Sequence, residues 1–237
     1  MPIYLTELTA DPTWFPPLTT ALQQPDGLLA IGGDLRVERL QAAYQQGIFP
    51  WFSDGDPLLW WSPSTRAVFA PGTLQLNRSL RKYLQKHPFE FSCNLAFAEV
   101  MRHCAAPRAK QASTWILPEM QQAYLALHQA GQAHSIEVWH QQQLVGGLYG
   151  VAVGGIFCGE SMFHRMPNTA KLALVMLQQQ LEQYSTGWID CQLPNPFLMQ
   201  LGASPLPRHD YLNLLQQATG QPCPASFWRP RRLELDR

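Results

Sequence analysis

The sequence predicts an α+β protein with a small, irregular N-terminal domain at residues 1–65 and a larger domain with a central sheet at residues 66–237. The first segment is rich in Pro, Trp and Gly, and regular patterns begin only at about residue 66. Three strand-like runs then follow one another between segments of helical periodicity. With 237 residues, the chain fits one large domain or a medium domain with a small companion.

The elements follow from periodicity and from the residues that end them. In the N-terminal segment a helix is predicted at residues 37–46, because Gly47 stands where helices commonly end. Further helices are predicted near residues 78–86, 95–104, 118–130, 169–184 and 194–201. Strands are predicted at 135–140, 144–153 and 155–163, as an antiparallel meander, and at 188–191 as a buried strand. Together these elements form a sheet covered by helices.

Composition excludes several classes of protein. The 17 basic and 17 acidic residues cancel, and charged residues are only 14% of the chain, so this is not a polybasic coat protein. The five cysteines form no C-x-x-C pair and are odd in number, which fits a reducing compartment better than a zinc ribbon or a disulfide framework. We see neither a signal peptide nor a run of about 18 apolar residues. We therefore expect a soluble, cytoplasmic protein that does not span a membrane.

Charge is unevenly distributed along the chain. Residues 1–62 contain seven acidic and two basic residues, whereas residues 76–110 contain seven basic and two acidic ones. Arg78, Arg81 and Lys82 lie three or four positions apart, as does Lys86, which places them on one side of the predicted helix. Such a face is either simply solvated or contacts phosphates, and both interpretations stay open from these residues alone.

No motif indicates a metal, a nucleophile or a nucleotide. The seven histidines show neither H-x-x-x-H nor H-E-x-x-H spacing. Ser161 lies in C-G-E-S-M, which lacks the second glycine of the serine hydrolase motif. The chain also contains no G-x-G-x-x-G and no G-x-x-x-x-G-K. We therefore predict neither a metal nor a cofactor.

Two carboxylates lie in segments whose neighbouring residues are apolar. Glu160 follows I-F-C-G, and Asp190 lies between Ile189 and Cys191. A buried acid is costly unless it is paired or used, so each is either satisfied by backbone N–H groups at a strand end or faces a shared pocket. The aromatic residues around Trp51 allow two interpretations as well, since they form either a core or a platform on which a base stacks.

Seven short runs occur in order along the chain: G-G-D-L at 32–35, G-I-F-P-W-F at 47–52, L-W-W-S-P at 59–63, H-S-I-E-V-W at 134–139, C-G-E-S-M-F at 158–163, I-D-C-Q at 189–192 and R-H-D-Y-L-N at 208–213. Together they closely resemble the bacterial leucyl/phenylalanyl-tRNA-protein transferase family. The resemblance extends over about residues 25–230. Its specificity lies in the ordered set, because no single run would be specific.

The resemblance implies an enzyme that transfers Leu or Phe, and Met less well, from aminoacyl-tRNA to the α-amino group of proteins that begin with Arg or Lys. Such an enzyme acts in the N-end rule pathway of protein degradation. The resemblance also implies that the second domain is N-acetyltransferase-like (GNAT-like), with a mixed, mainly antiparallel sheet. The R-x-x-G-x-G loop that holds coenzyme A in acetyltransferases is missing, and the chain reads H-R-M-P-N at that position. An acyl-tRNA donor needs no such loop.

The resemblance assigns roles to three polar residues. Asp190 matches the acid that orients or deprotonates the acceptor amine, and Gln192 matches the amide that steadies the reacting groups. Glu160 lies in the matching C-G-E-S-M-F run, where its charge would hold the cationic acceptor or its amine. A carboxylate of ordinary pKa is a weak base for an amine, so we expect electrostatic and hydrogen-bonding roles unless burial raises the pKa.

An apolar pocket is expected to select the amino acid, although core packing would explain the same residues. Its predicted walls lie on the meander and on the helix that follows: Leu148, Phe157, Met162, Leu174 and Leu177. Three aromatic residues are expected to contact the terminal adenosine or the acyl group: Tyr44, Trp51 and Trp115. Three basic residues are expected to contact the tRNA: Arg78, Arg81 and Lys82.

Two other functions stay open at this point. A small-molecule acyltransferase that uses coenzyme A is disfavoured by the missing pyrophosphate loop. A non-catalytic module that recognises basic N-termini would use Glu160 and Asp190 as an acidic pocket. Such a module would bind peptides that begin with Arg and would transfer nothing to them.

Overall fold

The computed structural model describes residues 4–107, 115–184, 186–221, 223–224 and 226–236. Its N-terminal part contains a four-stranded sheet of short strands in the order β1-β2-β4-β3. The strands are β1 (Thr6–Glu7), β2 (Leu28–Ile31), β3 (Phe49–Pro50) and β4 (Leu59–Trp61). Helix α1 (Val37–Gln45) precedes Gly47, whose φ of 73° gives the left-handed turn that ends the helix.

The larger sheet has eight strands in the order β11-β5-β10-β9-β8-β7-β6-β12. The strands are β5 (Thr65–Phe69), β6 (Glu90–Cys93), β7 (Ala133–His140), β8 (Gln143–Val153), β9 (Ile156–His164), β10 (Trp188–Asp190), β11 (Ser204–Pro207) and β12 (Arg231–Leu233). Every neighbouring pair is antiparallel except β9 and β10, which run parallel. Among the described residues, this one parallel pair makes the otherwise antiparallel sheet a mixed one.

Helices cover both faces of this sheet. Residues of α3 (Phe97–Ala105), α4 (Pro118–Gln129) and α7 (Arg208–Thr219) belong, with α1, to one buried apolar cluster. Residues of α2 (Arg78–Lys86), α5 (Thr169–Tyr184) and α6 (Pro196–Gln200) belong to a second cluster. Because side chains alternate along a strand, neighbouring sheet residues such as Val68 and Phe69 enter opposite clusters.

The predicted α+β class and the three-stranded meander are confirmed, and the sheet is mixed and mainly antiparallel as an N-acetyltransferase-like domain was expected to be. Helices predicted at 78–86 and 169–184 have those bounds in the structure. The helix predicted from residue 95 begins at Phe97, because Ala96 has a non-helical φ of −145°, and the Glu137 carboxylate accepts the backbone N–H groups of Leu95 and Ala96 before it. Strands β5, β6, β11 and β12 and helix α7 were not predicted, nor was the N-terminal sheet.

The domain boundary at residue 65 stays a prediction. Residues of both parts contribute to the first apolar cluster, which includes Tyr44 and Trp60 from one part and Tyr149 and Tyr211 from the other. None of the helices in the described part of the chain is long and apolar enough to span a membrane.

Candidate active site

The site lies where the two parallel strands β9 and β10 separate. Their pairing ends at Asp190 opposite Cys158, whereas β9 continues to His164. Beyond this point neither strand hydrogen-bonds to the other, so a wedge opens between the end of β10 and the C-terminal half of β9. Crevices of this kind are where open sheets commonly bind ligands.

A β-bulge on β9 aims Glu160 into the wedge. Tyr149 of β8 lies opposite Ser161, and the next residue, Gly150, lies opposite Gly159, so Glu160 has no direct partner across the ladder. An extra residue shifts the alternation of side chains by one position. For this reason Phe157 and Met162 lie on the same face of the sheet although an odd number of positions separates them.

The wedge contains a cavity of about 210 Å³. Its apolar walls come from strands β8, β9 and β10 and from helices α5 and α6: Leu148, Phe157, Met162, Leu174, Leu177, Ile189 and Leu198. Its remaining walls are Gly159, Glu160, Ser161, Cys191, Gln192 and Asn195. The structure thus brings all five predicted pocket residues to one cavity, with Glu160 and Gln192 at its polar side.

Three donors surround the Glu160 carboxylate. Tyr44 and Gln192 donate to Oε1, from the hydroxyl at 2.7 Å and from Nε2 at 2.8 Å, and the Tyr124 hydroxyl donates to Oε2 at 3.0 Å. The two tyrosine oxygens are themselves 2.5 Å apart. Burial raises the pKa of Glu160 to about 7, although the hydrogen bonds from the tyrosines lower it in part. At neutral pH, therefore, Glu160 exists in both protonation states.

Asp190 lies beneath the cavity and does not line it. Its side chain is fully buried, and it is paired with Arg66, whose Nε donates to Oδ1 at 3.2 Å and whose Nη2 donates to Oδ2. The Tyr211 hydroxyl also donates to Oδ2, at 2.9 Å. Burial lowers the pKa of Arg66, but the Asp190 charge and hydrogen bonds outweigh it and hold that pKa above its ordinary value. The expectation that both acids open onto one pocket is thus met by Glu160 and not by Asp190.

The turn after β10 places the Gln192 amide. Its backbone N–H donates to Asp190 Oδ1 at 2.9 Å, and its carbonyl accepts the Ala67 N–H at 3.2 Å. Gln192 has a φ of 56°, which is uncommon for a residue other than glycine and occurs where surrounding contacts impose it. Asp190 therefore fixes a strained turn from which the Gln192 side chain reaches Glu160.

Comparison with known proteins decides what kind of site this is. The family model described as leucyl/phenylalanyl-tRNA protein transferase matches residues 68–216, and that of its N-terminal domain matches residues 33–64. The chain belongs to this family. The curated leucyl/phenylalanyl-tRNA–protein transferase of Shewanella sp. (strain ANA-3) is 54% identical over 222 residues, which is 94% of each chain. That of Shewanella piezotolerans (strain WP3 / JCM 13877) is 57% identical over 212 residues, or 90% of each chain. The protein is an aminoacyltransferase of this family.

One solved structure aligns with part of this chain. It is described as L-PGS from Bacillus licheniformis, is 13% identical, and aligns with 71% of this chain and 54% of its own. Its TM-score is 0.38, so we draw no conclusion from it about this transferase.

The aromatic residues that the family resemblance singled out are not found together. The Tyr44 hydroxyl is bound to Glu160, and the residue is buried. Trp51 is 41% exposed and packs edge-on against Trp61, with ring centroids 5.5 Å apart. Trp115 is half-buried against the first apolar cluster. None of the three lines the cavity.

The predicted basic surface is exposed in this transferase. Arg78, Arg81 and Lys82 all lie on the solvent side of α2, whose Leu80 and Leu84 are buried. Two basic residues of the same charged segment, Arg108 and Lys110, lie outside the described residues. Among the described residues, no group of three or more His, Cys, Asp or Glu is arranged to hold a metal ion.

Sequence reasoning missed three residues of the site. Arg66 stands in the apolar run T-R-A-V-F, and a charged residue in a buried strand is the same signal that identified Asp190. Tyr124 and Tyr211 lie at apolar positions of α4 and α7, where an aromatic residue is ordinarily taken for core packing.

Proposed function

We propose that this protein transfers Leu or Phe, and Met less well, from aminoacyl-tRNA to the α-amino group of proteins that begin with Arg or Lys. It thereby marks those proteins for degradation by the N-end rule pathway, in the cytoplasm. The observation that carries the proposal is a single cavity that combines apolar walls with Glu160 and Gln192 at its polar side. The names of the family and of its curated members support the donor and the reaction.

The apolar walls would hold the side chain of the transferred amino acid. Leu, Phe and Met are unbranched at Cβ, so they can extend between Phe157 and Met162 toward Leu174 and Leu177 on α5. A β-branched side chain would crowd the polar side of the cavity, beside Glu160. Since one methylene is worth about 1–3 kcal/mol in such pockets, selectivity among apolar amino acids should be moderate.

The reaction is aminolysis of an ester. The neutral α-amine of the acceptor attacks the carbonyl carbon that links the amino acid to the terminal ribose, and a C–N bond forms. The amine nitrogen loses a proton, the C–O bond to the ribose breaks, and the released ribose oxygen gains a proton. Because the ester is already activated, holding the two reactants together would supply the largest part of the rate, up to about 7–11 kcal/mol.

Glu160 is the group suited to move the proton. It lines the cavity, and its pKa of about 7 lies near the ordinary α-amine pKa of about 7.7–8.0. A base whose pKa lies close to the working pH is the most effective one. In our proposal, therefore, the carboxylate of Glu160 accepts the proton of the attacking amine and returns it to the ribose oxygen. Gln192, which donates to Glu160, orients this carboxylate.

The role first expected of Asp190 changes in this proposal. An acid that is fully buried and paired with Arg66 has no route to the amine. Asp190 instead holds the turn that carries Gln192. Tyr44 orients Glu160 and holds its pKa down, while Trp51 and Trp115 remain the proposed contacts of the terminal adenosine. The exposed bases of α2 would contact the tRNA backbone.

A transfer assay tests the function. Purified protein is incubated with labelled Leu-, Phe-, Met- or Val-tRNA and with peptides that differ only in starting with Arg, Lys or Ala. We expect transfer of Leu and Phe, weaker transfer of Met and little of Val, and only to peptides that start with Arg or Lys. Equal transfer to the Ala peptide would contradict the acceptor assignment. Binding of the Arg peptide without any transfer would show a recognition module instead.

A further inference from the structure

Arg66 joins two parts of the molecule through contacts that the reaction itself does not use. The residue is 1% exposed and is bonded to Asp190 through Nε and Nη2. Its remaining terminal nitrogen, Nη1, donates to the Gly47 carbonyl at 3.3 Å. Gly47 follows α1 in the N-terminal part, whereas Asp190 ends a strand of the large sheet. One guanidinium therefore fixes the position of the segment after α1, residues 46–50, relative to the end of β10.

Two aromatic rings hold this guanidinium in place. Its central carbon lies 5.0 Å from the centroid of Phe49 and 4.5 Å from that of Tyr211, within the range of a cation–π contact. Phe49 also belongs to the segment after α1, and the Tyr211 hydroxyl donates to Asp190. Both the plane and the position of the guanidinium are thus determined by its neighbours.

The contacts of Arg66 form part of a closed cycle of contacts that passes through Glu160 and Gln192 at the polar side of the cavity. Asp190 fixes the Gln192 turn, the Gln192 amide reaches Glu160, and Glu160 accepts the Tyr44 hydroxyl. Tyr44 lies on α1, three positions before Gly47, and the Gly47 carbonyl accepts from Arg66, which closes the cycle of contacts. Displacing the segment after α1 would therefore shift both the carboxylate and the amide of the site.

Stability alone gives a poor reason for such a pair. Removing two charges from water costs several kcal/mol each, and buried ion pairs are often replaceable by apolar residues without loss of stability. A lysine would also keep the charge, but only arginine has the planar fork that pairs with a carboxylate and reaches a third acceptor at once.

We propose that Arg66 is a positioning residue for the transferase reaction, which sets the geometry of Gln192 and Glu160 through Asp190 and aligns them with the segment after α1. It touches neither substrate. The proposal rests on the proposed roles of Gln192 and Glu160 in the site.

A double-mutant cycle tests the proposal. Arg66→Lys is combined with Gln192→Ala, and kcat and KM for Leu transfer are measured together with the thermal unfolding of each variant. Arg39→Lys is the matched control, because Arg39 is fully buried, faces Asp34 at 3.5 Å and donates to the Thr9 carbonyl at 2.7 Å, away from the cavity.

We expect Arg66→Lys to lower kcat by about 10- to 100-fold, because a displacement of reacting groups by about 1 Å can have an effect of this size. The KM should stay within about twofold of the original value. Because Arg66 positions Gln192 and Glu160 together, the loss of kcat in the double variant should be clearly smaller than the product of the two single losses. Arg39→Lys should leave kcat close to that of the unchanged protein. A loss of kcat in the double variant equal to the product of the losses in Arg66→Lys and Gln192→Ala would overturn the proposal. An unchanged kcat in Arg66→Lys would overturn it as well.

Should Arg66→Lys fail to fold, Asp190→Asn replaces it in the cycle, since it keeps an oxygen for the Gln192 N–H and removes the charge. The same non-additivity is then expected, and additive losses overturn the proposal. The proposed function fails in a different way: the unchanged protein would transfer nothing, or Gln192→Ala would be silent.

Discussion

Hydrogen-bond donors around a carboxylate normally lower its pKa, yet the pKa of Glu160 is raised to about 7. Burial is the larger effect, and the hydrogen bonds from Tyr44 and Tyr124 offset it only in part. The two tyrosines therefore adjust how basic Glu160 is rather than creating its basicity. Both come from helices outside the large sheet, α1 and α4.

Replacing Tyr124 by Phe should shift the pH dependence of transfer. Loss of the donor to Glu160 Oε2 removes a contribution that lowers the pKa, so the acidic limb of the pH–rate profile should move to higher pH. Tyr149→Phe is the control, because the buried Tyr149 hydroxyl has no hydrogen-bond partner among the described residues. A shift of equal size in both variants would contradict the role given to Tyr124.

The cavity predicts how amino-acid choice can be changed. Leu174→Phe should fill part of the cavity and lower the ratio of Phe to Leu transfer by about tenfold, within the range of 1–3 kcal/mol that fit is worth in such pockets. Leu172→Phe, also on α5 and buried but outside the cavity, is the control. The ratio of kcat/KM for Phe-tRNA and Leu-tRNA is the measurement. An equal change in both variants would place the acyl group elsewhere.

A residue of the site could be predicted from the sequence where its type is unusual among its neighbours in the chain. Glu160 and Asp190 stand out as acids beside apolar residues, and the apolar walls followed from the motifs around them. The sequence did not indicate that Glu160 lines the cavity whereas Asp190 is buried in an ion pair. This difference depends on Arg66, which lies 124 positions before Asp190 in the chain and pairs with it only in the fold.

At the scale of elements, the bulge on β9 and the early end of β10 create the site. Gly150 permits this bulge, because a Cβ there would lie 2.1 Å from the Cys158 carbonyl oxygen. Alternation in the sequence predicted the meander but not the bulge, although Gly150 and Gly159 lie inside the predicted strands, where an isolated glycine can mark a bulge. Strands β5 and β11 are formed by pairings distant in sequence, and β11 contains two prolines, which suit only an edge strand.

Helix α2 carries a prediction about tRNA binding. Reversing the charge of Arg78, Arg81 and Lys82 should weaken binding and reduce the dependence of log Kd on log salt by about 0.7–0.9 for each phosphate that is no longer neutralised. These side chains are exposed, so folding should be unaffected. Arg229→Glu, at an exposed position in the C-terminal segment, is the control. An unchanged salt dependence in the α2 variant would remove this helix from the tRNA path.

For the whole molecule, a carboxyl group whose pKa is raised by folding makes stability depend on pH. The folded pKa of Glu160 is about 7, against an ordinary value of 4.5. Between these values the folded protein binds more protons than the unfolded chain, so the contribution of this group is complete below pH 4.5 and is lost as pH rises through about 7.

Glu160→Gln should therefore reduce the loss of thermal stability between pH 5 and pH 8, because the amide does not titrate. The unfolding temperature of the unchanged protein and of the variant at the two pH values is the measurement. If the two proteins lose the same amount of stability over this range, folding does not raise the pKa of Glu160.

The two parts of the chain meet at the site, and this explains why a division at residue 65 says little about function. The N-terminal part supplies the Tyr44 hydroxyl and the Gly47 carbonyl, and the large sheet supplies Glu160, Gln192 and Asp190. Sequence periodicity indicates separate elements, whereas only the assembled fold shows which of them contribute side chains to the same site.

The pH dependence of kcat/KM for the acceptor, compared between the unchanged protein and Glu160→Gln, tests the central claim most directly. If Glu160 is the base, the unchanged protein should show two ionisations, one near 7 from Glu160 and one near the α-amine pKa of about 8, so log kcat/KM rises with a slope of two at low pH. Glu160→Gln should be slower by about 10²- to 10⁴-fold and keep only the amine ionisation, with a slope of one. Parallel profiles in the two proteins would contradict the assignment of Glu160 as the proton acceptor.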